Sequence, residues 1–308
     1  MNGRRSLSTA DFSILPISGN AHCYNRMVPF TRIVGVLNVT PDSYYDGGQA
    51  ATLDAAVARV GAMLDEGADI IEVGGESTGP GSTDITLEEE LQRTMPVLEA
   101  LRERFPQAEL SIDTWRSQVA ERAVEHGVAL VNDVTAGRGD PKMFSVLAPL
   151  SAKLVLMYAK DPTPRTMVRA VDYDDVIATV RTFLEERMQA AQEQGIAHGR
   201  IILDPGMGHF VSSSARYSFE ILARLEELRD LTCPLLVSPS RKSFLALAEN
   251  LPPAERLPGT IAASAIAVLH GAQYIRTHDV RAVKQACRVA EQILSECSEV
   301  TPLPRRPR

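Results

Sequence analysis

The feature that most constrains the fold is an alternation between short apolar runs and longer segments with helical periodicity, which repeats eight times along the chain. The runs are rich in Val, Ile and Leu and end in polar or glycine residues, as buried strands do. Strands that are apolar on both faces and alternate with helices form parallel sheets. The predicted strands are Ile33–Leu37, Ile70–Val73, Leu110–Ile112, Ala129–Val131, Lys153–Met157, Ile201–Leu203, Leu235–Val237 and Gln273–Ile275.

The number of units separates two architectures. An open, doubly wound sheet usually has fewer strands and carries a glycine-rich first turn, whereas eight units favour a closed barrel. No G-x-G-x-x-G follows the first predicted strand, and 308 residues suit one barrel, which commonly needs about 250. The sequence therefore predicts an α/β fold, a single-domain (β/α)8 TIM barrel over residues 32–296. We expect an N-terminal extension over residues 1–31 and a flexible tail over 297–308.

Charge and composition exclude several classes of protein. Lysine and arginine total 32 against 39 acidic residues, a net charge of −7, which argues against broad nucleic-acid binding but allows one basic site for a phosphorylated metabolite. The sequence shows neither a signal-peptide core at its start nor an apolar run long enough for a membrane span. Four scattered cysteines without a C-x-x-C pair favour free thiols. We therefore expect a cytoplasmic protein without nucleic-acid or membrane partners.

Polar residues collect just after the predicted strand ends, which is the catalytic face of such a barrel. Turns of this kind ordinarily collect Asp, Asn, Ser and Gly as helix caps, so any single residue carries little weight. Lysine, arginine and histidine are not needed for capping, and their presence favours an active site. The clusters are Asn38, Gly74–Thr78, Asp113, Asn132–Asp133, Asp204, Ser240–Ser243 and Arg276–Asp279.

Taken in this order, the segments around the clusters resemble the dihydropteroate synthase family, over roughly residues 31–296. The resemblance implies condensation of 6-hydroxymethyl-7,8-dihydropterin pyrophosphate with 4-aminobenzoate, with Mg²⁺ as cofactor and a homodimeric assembly. The segments that carry it are Leu37–Gly48, Glu72–Ser82, Ser111–Thr114, Val131–Val134, Leu203–Gly206, Ser240–Ser243 and Ile275–Val280.

The pterin ring is assigned by this resemblance to Asp113, Asn132, Asp204 and Lys242. A reduced pterin presents an edge of donors and acceptors that carboxylates and an amide can read. A buried carboxylate facing a ring N–H also stabilises positive charge that develops on the ring. The resemblance assigns catalysis to Lys242, Asp113 and Asp46. Helix capping is the alternative role for Asp113 and Asn132.

The pyrophosphate is assigned to Asn38, Thr78, Arg276 and His278. Arg276 and His278 alternate in an extended segment, so both side chains can face one ligand. Arginine suits bidentate phosphate contact, and the helix predicted to begin near Asp279 adds its N-terminal dipole. Asn38 offers an amide oxygen to Mg²⁺ and is the predicted metal ligand. A satisfied core histidine is the alternative for His278.

The aminobenzoate is assigned to Arg241, Lys242 and Ser243, at a predicted helix start. Departures from the family pattern concentrate around this substrate: Gly79 stands where the family usually has arginine. We therefore expect the pterin ester to bind normally and 4-aminobenzoate to bind weakly. The departing segments are Tyr45, Gly79, Tyr158–Asp161, His209–Val211 and Ser238–Ser240.

Three alternatives remain open on the sequence. A divergent paralogue would bind the pterin ester but use another amine. A non-catalytic partner is favoured by Gly79 and disfavoured by Asn38, Lys242 and Arg276. A pterin-binding methyltransferase domain would share the barrel but would not need the Ser240–Ser243 segment or the pair of Arg276 and His278.

Overall fold

The computed structural model describes residues 30–39 and 48–299, and the side chains of 48–52 and 297–299 are not described. Within these ranges the predicted barrel is confirmed: the parallel strands form one sheet in the order β6-β5-β4-β3-β2-β1-β8-β7. A bridge between Leu203 and Leu235 joins its two edges. The strands are β1 (Arg32–Asn38), β2 (Ile70–Gly74), β3 (Leu110–Asp113), β4 (Leu130–Asp133), β5 (Lys153–Met157), β6 (Ile201–Asp204), β7 (Leu236–Val237) and β8 (Tyr274–Thr277).

Helices separate the strands in the way the periodicity predicts. Two of them begin at side-chain caps, where Thr86 accepts from the backbone N–H of Glu89 and Asp175 accepts from that of Ala178. The α-helices of the described residues are α1 (Gly48–Asp65), α2 (Leu87–Arg104), α3 (Ser117–Glu125), α4 (Met143–Leu147), α5 (Val176–Glu193), α6 (Ala215–Ala223), α7 (Leu257–Leu269) and α8 (Val280–Glu299).

One predicted helix start was wrong. The segment after β7 forms a single 3₁₀ turn, Ser243–Ala246, and α7 begins only at Leu257. Arg241 and Leu247 on either side have positive φ angles of 53° and 54°, which no α-helix contains. The interruption leaves Lys242 and Ser243 on an irregular loop rather than on the first turn of a regular helix.

The interior of the barrel is filled from one end by an apolar layer. Its buried residues come from seven strands and form a cluster separate from the larger core between sheet and helices. Because side chains alternate along a strand, the residue two positions further on faces the barrel interior again, one layer higher. The layer consists of Val34, Ile70, Leu130, Val155, Ile202, Leu236 and Tyr274.

Polar residues stand directly above this layer. Two positions after Ile70, Leu130 and Ile202 come Glu72, Asn132 and Asp204, and two positions after Tyr274 comes Arg276. The intervening residues belong to the core outside the sheet. Apolar side chains therefore fill the barrel interior toward the amino ends of the strands, and ionisable side chains lie at their carboxyl ends.

The two predicted flanking segments lie mostly outside the described residues. Helix α8 continues to Glu299, three residues into the segment predicted as tail, because its sequence meets no glycine or proline before Pro302. Cys233 and Cys287 are buried free thiols. Among residues 30–39 and 48–299, no helix combines the length and apolar character that crossing a bilayer requires.

Candidate active site

Arg276 forms the electrostatic centre of the strand-end face. It projects from β8 between two carboxylates: its guanidinium bonds the fully buried Glu72 on β2 and donates to Asp113 Oδ2 on β3 at 2.7 Å. Burial opposes the charge on Arg276, but the two carboxylates raise its pKa. Burial raises the pKa of Asp113 to about 7, against the attraction of Arg276. Three strands therefore share one buried ion cluster.

Asp204 and Lys242 are two further ionisable groups beside this cluster, and each shifts the pKa of the other. Asp204 is 2% exposed and accepts from the backbone N–H of Gly206 at 2.7 Å. Burial raises its pKa to about 6, although Lys242 draws it down. Burial lowers the pKa of Lys242 to about 8, although Asp204 opposes this. Both groups are therefore poised to titrate near neutrality.

Asn132 brings an unsatisfied acceptor into the same interior. Its side chain is buried, and Oδ1 has no hydrogen-bond partner among the described protein atoms. Glu72 Oε2 and Ser111 Oγ are likewise buried without a partner. Buried polar atoms left unpaired are costly, and a ligand that supplies donors would remove the cost. The neighbouring Asp133 instead has a structural role, because it accepts from Thr135 and Gly137.

His278 lies against Ser240 rather than in a closed core. The Ser240 hydroxyl oxygen accepts from the backbone N–H of His278 at 3.2 Å and from Thr277 Oγ1 at 3.4 Å. Its own proton is then directed to His278 Nδ1, at 3.0 Å, which leaves the ring proton on Nε2. Burial and the charge of Arg276 lower the pKa of His278 to about 4, so the ring is a neutral donor at pH 7.

A cavity of about 630 Å³ opens at Asp113, Arg276 and His278. Asn132, Asp204 and Lys242 are not among the residues that line it. Thr78 reaches it from the loop between β2 and α2, and Asn38 from the end of β1. The structure thus brings together all four side chains predicted for the pyrophosphate, and adds the Phe210 ring. The residues that line the cavity include Asn38, Thr78, Asp113, Phe210, Arg276 and His278.

The predicted aminobenzoate residues are arranged less uniformly. Arg241 forms a two-point ion pair with Asp279, at 2.8 and 2.5 Å, and does not line the cavity. The Lys242 ammonium lies 4.7 Å from the centre of the Phe210 ring, which does line it. Ser243 faces the β6–α6 loop, since a side chain at Gly208 would meet its hydroxyl at 3.2 Å. Asp46 lies outside the described residues.

The β2–α2 loop is fixed by a charged side chain from across the cavity mouth. Arg165, between β5 and α5, bonds the Glu76 carboxylate and donates to the backbone oxygens of Ser82 and Thr83, at 3.0 and 2.7 Å. Arg116 holds Glu76 from the other side, at 2.5 Å. A cation therefore lies beside the loop that contains Gly79.

Sequence reasoning missed several residues of this site. Glu72 was included in an apolar strand, although a carboxylate in the middle of a buried strand is itself a signal of an ion partner. Phe210 falls in a segment that departs from the family pattern, but the sequence assigns it no contact, and Arg165 gives no signal, because the partners of both residues are remote in sequence and lie on loops.

Comparisons with known proteins fit this geometry. Residues 34–278 match the family described as pterin binding enzyme. The dihydropteroate synthase of Synechocystis sp. is 40% identical over 264 residues, 85% of this chain and 90% of the relative. The solved structure of Xanthomonas albilineans dihydropteroate synthase with 4-aminobenzoic acid has a TM-score of 0.79 at 39% identity and covers 86% of this chain and 93% of that one. The structure of the same enzyme in complex with 7,8-dihydropteroate has a TM-score of 0.75 at 37% identity and covers 87% of this chain and 95% of that one.

The match runs from Val34 in β1 to His278, directly after β8, and includes the strand-end clusters up to His278. The chain belongs to the pterin-binding enzymes and, within them, to the dihydropteroate synthases, which are transferases of folate biosynthesis.

Proposed function

We propose that this chain joins 6-hydroxymethyl-7,8-dihydropterin pyrophosphate to 4-aminobenzoate, giving 7,8-dihydropteroate and pyrophosphate. The observation that carries the proposal is the part-buried Arg276, held by Glu72 and Asp113 beside a cavity that Arg276, Thr78 and His278 line together. A fixed cation beside neutral donors suits a pyrophosphate ester, and the acidic groups beneath suit the pterin edge.

The pterin ring is bound in this proposal by Asp113, Asn132, Asp204 and Lys242. The unpaired Asn132 oxygen and the Asp204 carboxylate would accept from ring N–H groups, and Lys242 would donate to a ring acceptor. Asp113 faces the ring next to Arg276 and would stabilise positive charge as the ester bond breaks. Asp46, outside the described residues, remains a proposed catalytic residue from the family resemblance.

The pyrophosphate is bound in this proposal by Arg276, His278, Thr78 and Asn38, which border one cavity. The described residues contain no group of three His, Cys, Asp or Glu side chains that could hold a metal. This suits Mg²⁺ that arrives with the pyrophosphate, because Mg²⁺ keeps most of its waters and takes few protein ligands. Asn38 would supply an amide oxygen, and the bound Mg²⁺ would neutralise charge on the leaving group.

The reaction needs no covalent enzyme intermediate. The pterin CH₂–O bond breaks, and its electron pair leaves with pyrophosphate toward Arg276 and His278. The amine nitrogen of 4-aminobenzoate forms the new C–N bond and releases one proton to water. Lys242 and Ser243 are the proposed contacts for this second substrate, with Phe210 as an aromatic wall. Arg241, paired to Asp279, would act by fixing the backbone of this loop. Catalysis is then positioning plus electrostatics.

Three further expectations accompany the proposal. Buried free thiols at Cys233 and Cys287 suit the cytoplasm. Residues 32–296 would fold as one domain, with 1–31 and 297–308 as appendages. Exposed apolar side chains on α7 and α8, including Ile266 and Ile293, support a homodimer formed through these helices. Light scattering coupled to size exclusion would report its mass.

The experiment that tests the function is a steady-state assay with the pterin pyrophosphate, Mg²⁺ and 4-aminobenzoate, followed by mass spectrometry of the product. We expect release of one pyrophosphate per 7,8-dihydropteroate formed, and no product without the amine. If the chain binds the pterin ester but makes no dihydropteroate, the paralogue with another amine replaces this proposal. Binding without turnover for any arylamine would favour a non-catalytic partner.

A further inference from the structure

Two of the segments that depart from the family pattern contact each other directly. Lys160, which follows β5, holds the loop after β6 at two consecutive carbonyls. Its backbone N–H donates to Phe210 O at 2.8 Å, and its ammonium donates to His209 O at 2.6 Å. Their unusual sequences are therefore two halves of one structural unit.

The Lys160 ammonium is completely enclosed in this unit. Its side chain is 2% exposed and contacts Asp161 Oδ2 at 2.6 Å, Thr166 Oγ1 at 2.8 Å and Met167 O at 2.8 Å. Burial opposes ionisation of Asp161, but hydrogen bonds led by that from Lys160 lower its pKa to about 2, so the pair stays charged. A buried, fully paired lysine is a rigid contact, since releasing it would strand two charges.

The loop held by Lys160 forms the wall of the candidate active site. Phe210 lines the cavity, and its ring lies 4.7 Å from the Lys242 ammonium. Gly208, with a φ of +63°, lets the same loop approach Ser243 and Lys242 closely. The ring is thus held between the Lys160 unit and the lysine that faces the pterin side.

We propose that Lys160 is a positioning residue for the second substrate: it fixes Phe210 against Lys242 and so forms the flat aromatic wall that selects an arylamine. The inference rests on the proposed function for the identity of that substrate. Lys160 does not line the cavity, so it acts through Phe210. The main effect is expected on binding of the amine, because Asn132 and Asp204 lie on β4 and β6 and are not among the hydrogen-bond partners of Lys160.

The test compares Lys160→Met with Arg169→Gln in initial-rate kinetics with both substrates. The Arg169 side chain donates to the other oxygen of Asp161 at 3.0 Å from an exposed position. Only its backbone oxygen contacts the β6–α6 loop, accepting from the Ser213 N–H at 3.0 Å, and the substitution keeps that bond, which makes Arg169→Gln the matched control. We expect Lys160→Met to raise KM for 4-aminobenzoate about tenfold, with KM for the pterin pyrophosphate and kcat within about twofold. Arg169→Gln should leave all three within about twofold.

Two further variants show whether the effect passes through Phe210. Phe210→Leu should raise the same KM, and the double variant with Lys160→Met should raise it no further, because both changes remove one wall. If Lys160→Met does not fold, Thr166→Val serves instead, since the Thr166 hydroxyl also donates to His209 O at 2.8 Å. It should raise the amine KM about threefold without changing the pterin KM.

An equal rise in both KM values, or effects of Lys160→Met and Phe210→Leu that multiply, would overturn the positioning role and leave a structural one. Failure of the proposed function is distinguishable: wild-type protein would then form no dihydropteroate at all. If wild type turns over 4-aminobenzoate and the variants leave its KM unchanged, only the inference about Lys160 fails.

Discussion

The two sides proposed for the candidate site, one for the pterin and one for the amine, are built differently. On the proposed pterin side, Glu72, Asp113, Asp204 and Arg276 lie on strands of the barrel, directly above its apolar layer. On the proposed amine side, the contacts join loops: Lys160 holds the β6–α6 loop and Arg165 holds the β2–α2 loop. The strand-end side matches the family pattern, whereas the loop side departs from it.

The difference teaches where sequence freedom lies in such a barrel. Arg276, Glu72 and Asp113 are ion-paired to one another on three strands, so replacement of one leaves a buried charge without its partner. Loop contacts can be exchanged as sets, as the joint departure of Tyr158–Asp161 and His209–Val211 illustrates. Substitutions on each side should therefore affect different substrates.

The largest effect is expected from Arg276→Ala. Loss of a charge-assisted contact costs about 1.5–3 kcal/mol, so affinity for the pterin pyrophosphate should fall about 10- to 150-fold. The free hydroxymethyl pterin lacks the phosphates and should lose far less. Calorimetric titration with both ligands measures the contrast. Equal losses for the two ligands would make Arg276 a structural partner of Glu72 and Asp113 only.

Asp204→Asn should weaken pterin binding by about 1–3 kcal/mol and stabilise the ligand-free protein. The folded-state pKa of Asp204 is about 6, above the unfolded value. The folded state therefore binds more protons between these values, and the free energy of unfolding falls as pH rises through this window. At pH values above this window, the ionised carboxylate lowers the free energy of unfolding by on the order of 1–3 kcal/mol. Denaturant titration at pH 7.5 should show Asp204→Asn to be more stable. A loss of both stability and affinity would contradict a ligand role.

Pterin affinity should also fall with acidity. Asp113, with a pKa of about 7, and Asp204, with a pKa of about 6, must be ionised to accept from the ring. Protonation of Asp204 alone should lower pterin affinity about tenfold between pH 7 and pH 5. Protonation of Asp113 should lower the affinity further from pH 7 downward. Fluorescence titration of the pterin across this range measures how affinity depends on pH. In Asp204→Asn the fall in affinity with decreasing pH should become shallower, and an unchanged pH profile would show that Asp204 does not contact the ring.

The smallest effect is expected from Gly79→Arg. Gly79 has no left-handed φ, and a Cβ added there would meet Ser77 Oγ at 3.6 Å, an ordinary contact, so the backbone accepts a side chain at this position. The new cation should lower KM for 4-aminobenzoate by about threefold with kcat preserved, because it adds uniform binding. The gain is modest since Arg165 already places a cation beside this loop. Initial rates of wild type and Gly79→Arg over a range of 4-aminobenzoate concentrations measure this difference. If wild type already saturates at low 4-aminobenzoate and Gly79→Arg has the same KM, an arginine at this position is unnecessary.

Strand positions could be predicted from the sequence, and loop contacts could not. Two-residue alternation places Asn132, Asp204 and Arg276 above the apolar layer without knowledge of tertiary structure. Arg165 meets Glu76 89 residues away, and no periodicity specifies that contact. The 3₁₀ turn after β7 was mistaken for a helix start because positive φ angles at Arg241 and Leu247 leave no mark in residue type.

The separation of the two sides is tested most directly by a two-substrate initial-rate matrix measured on wild type, Arg276→Lys and Lys160→Met. Arg276→Lys would replace the proposed two-point phosphate contact by a point charge, so it should raise KM for the pterin pyrophosphate alone. Lys160→Met should raise KM for 4-aminobenzoate alone. That crossed pattern is the result we expect. A rise in both KM values in each variant would contradict the account, because the two sides would then form one coupled site.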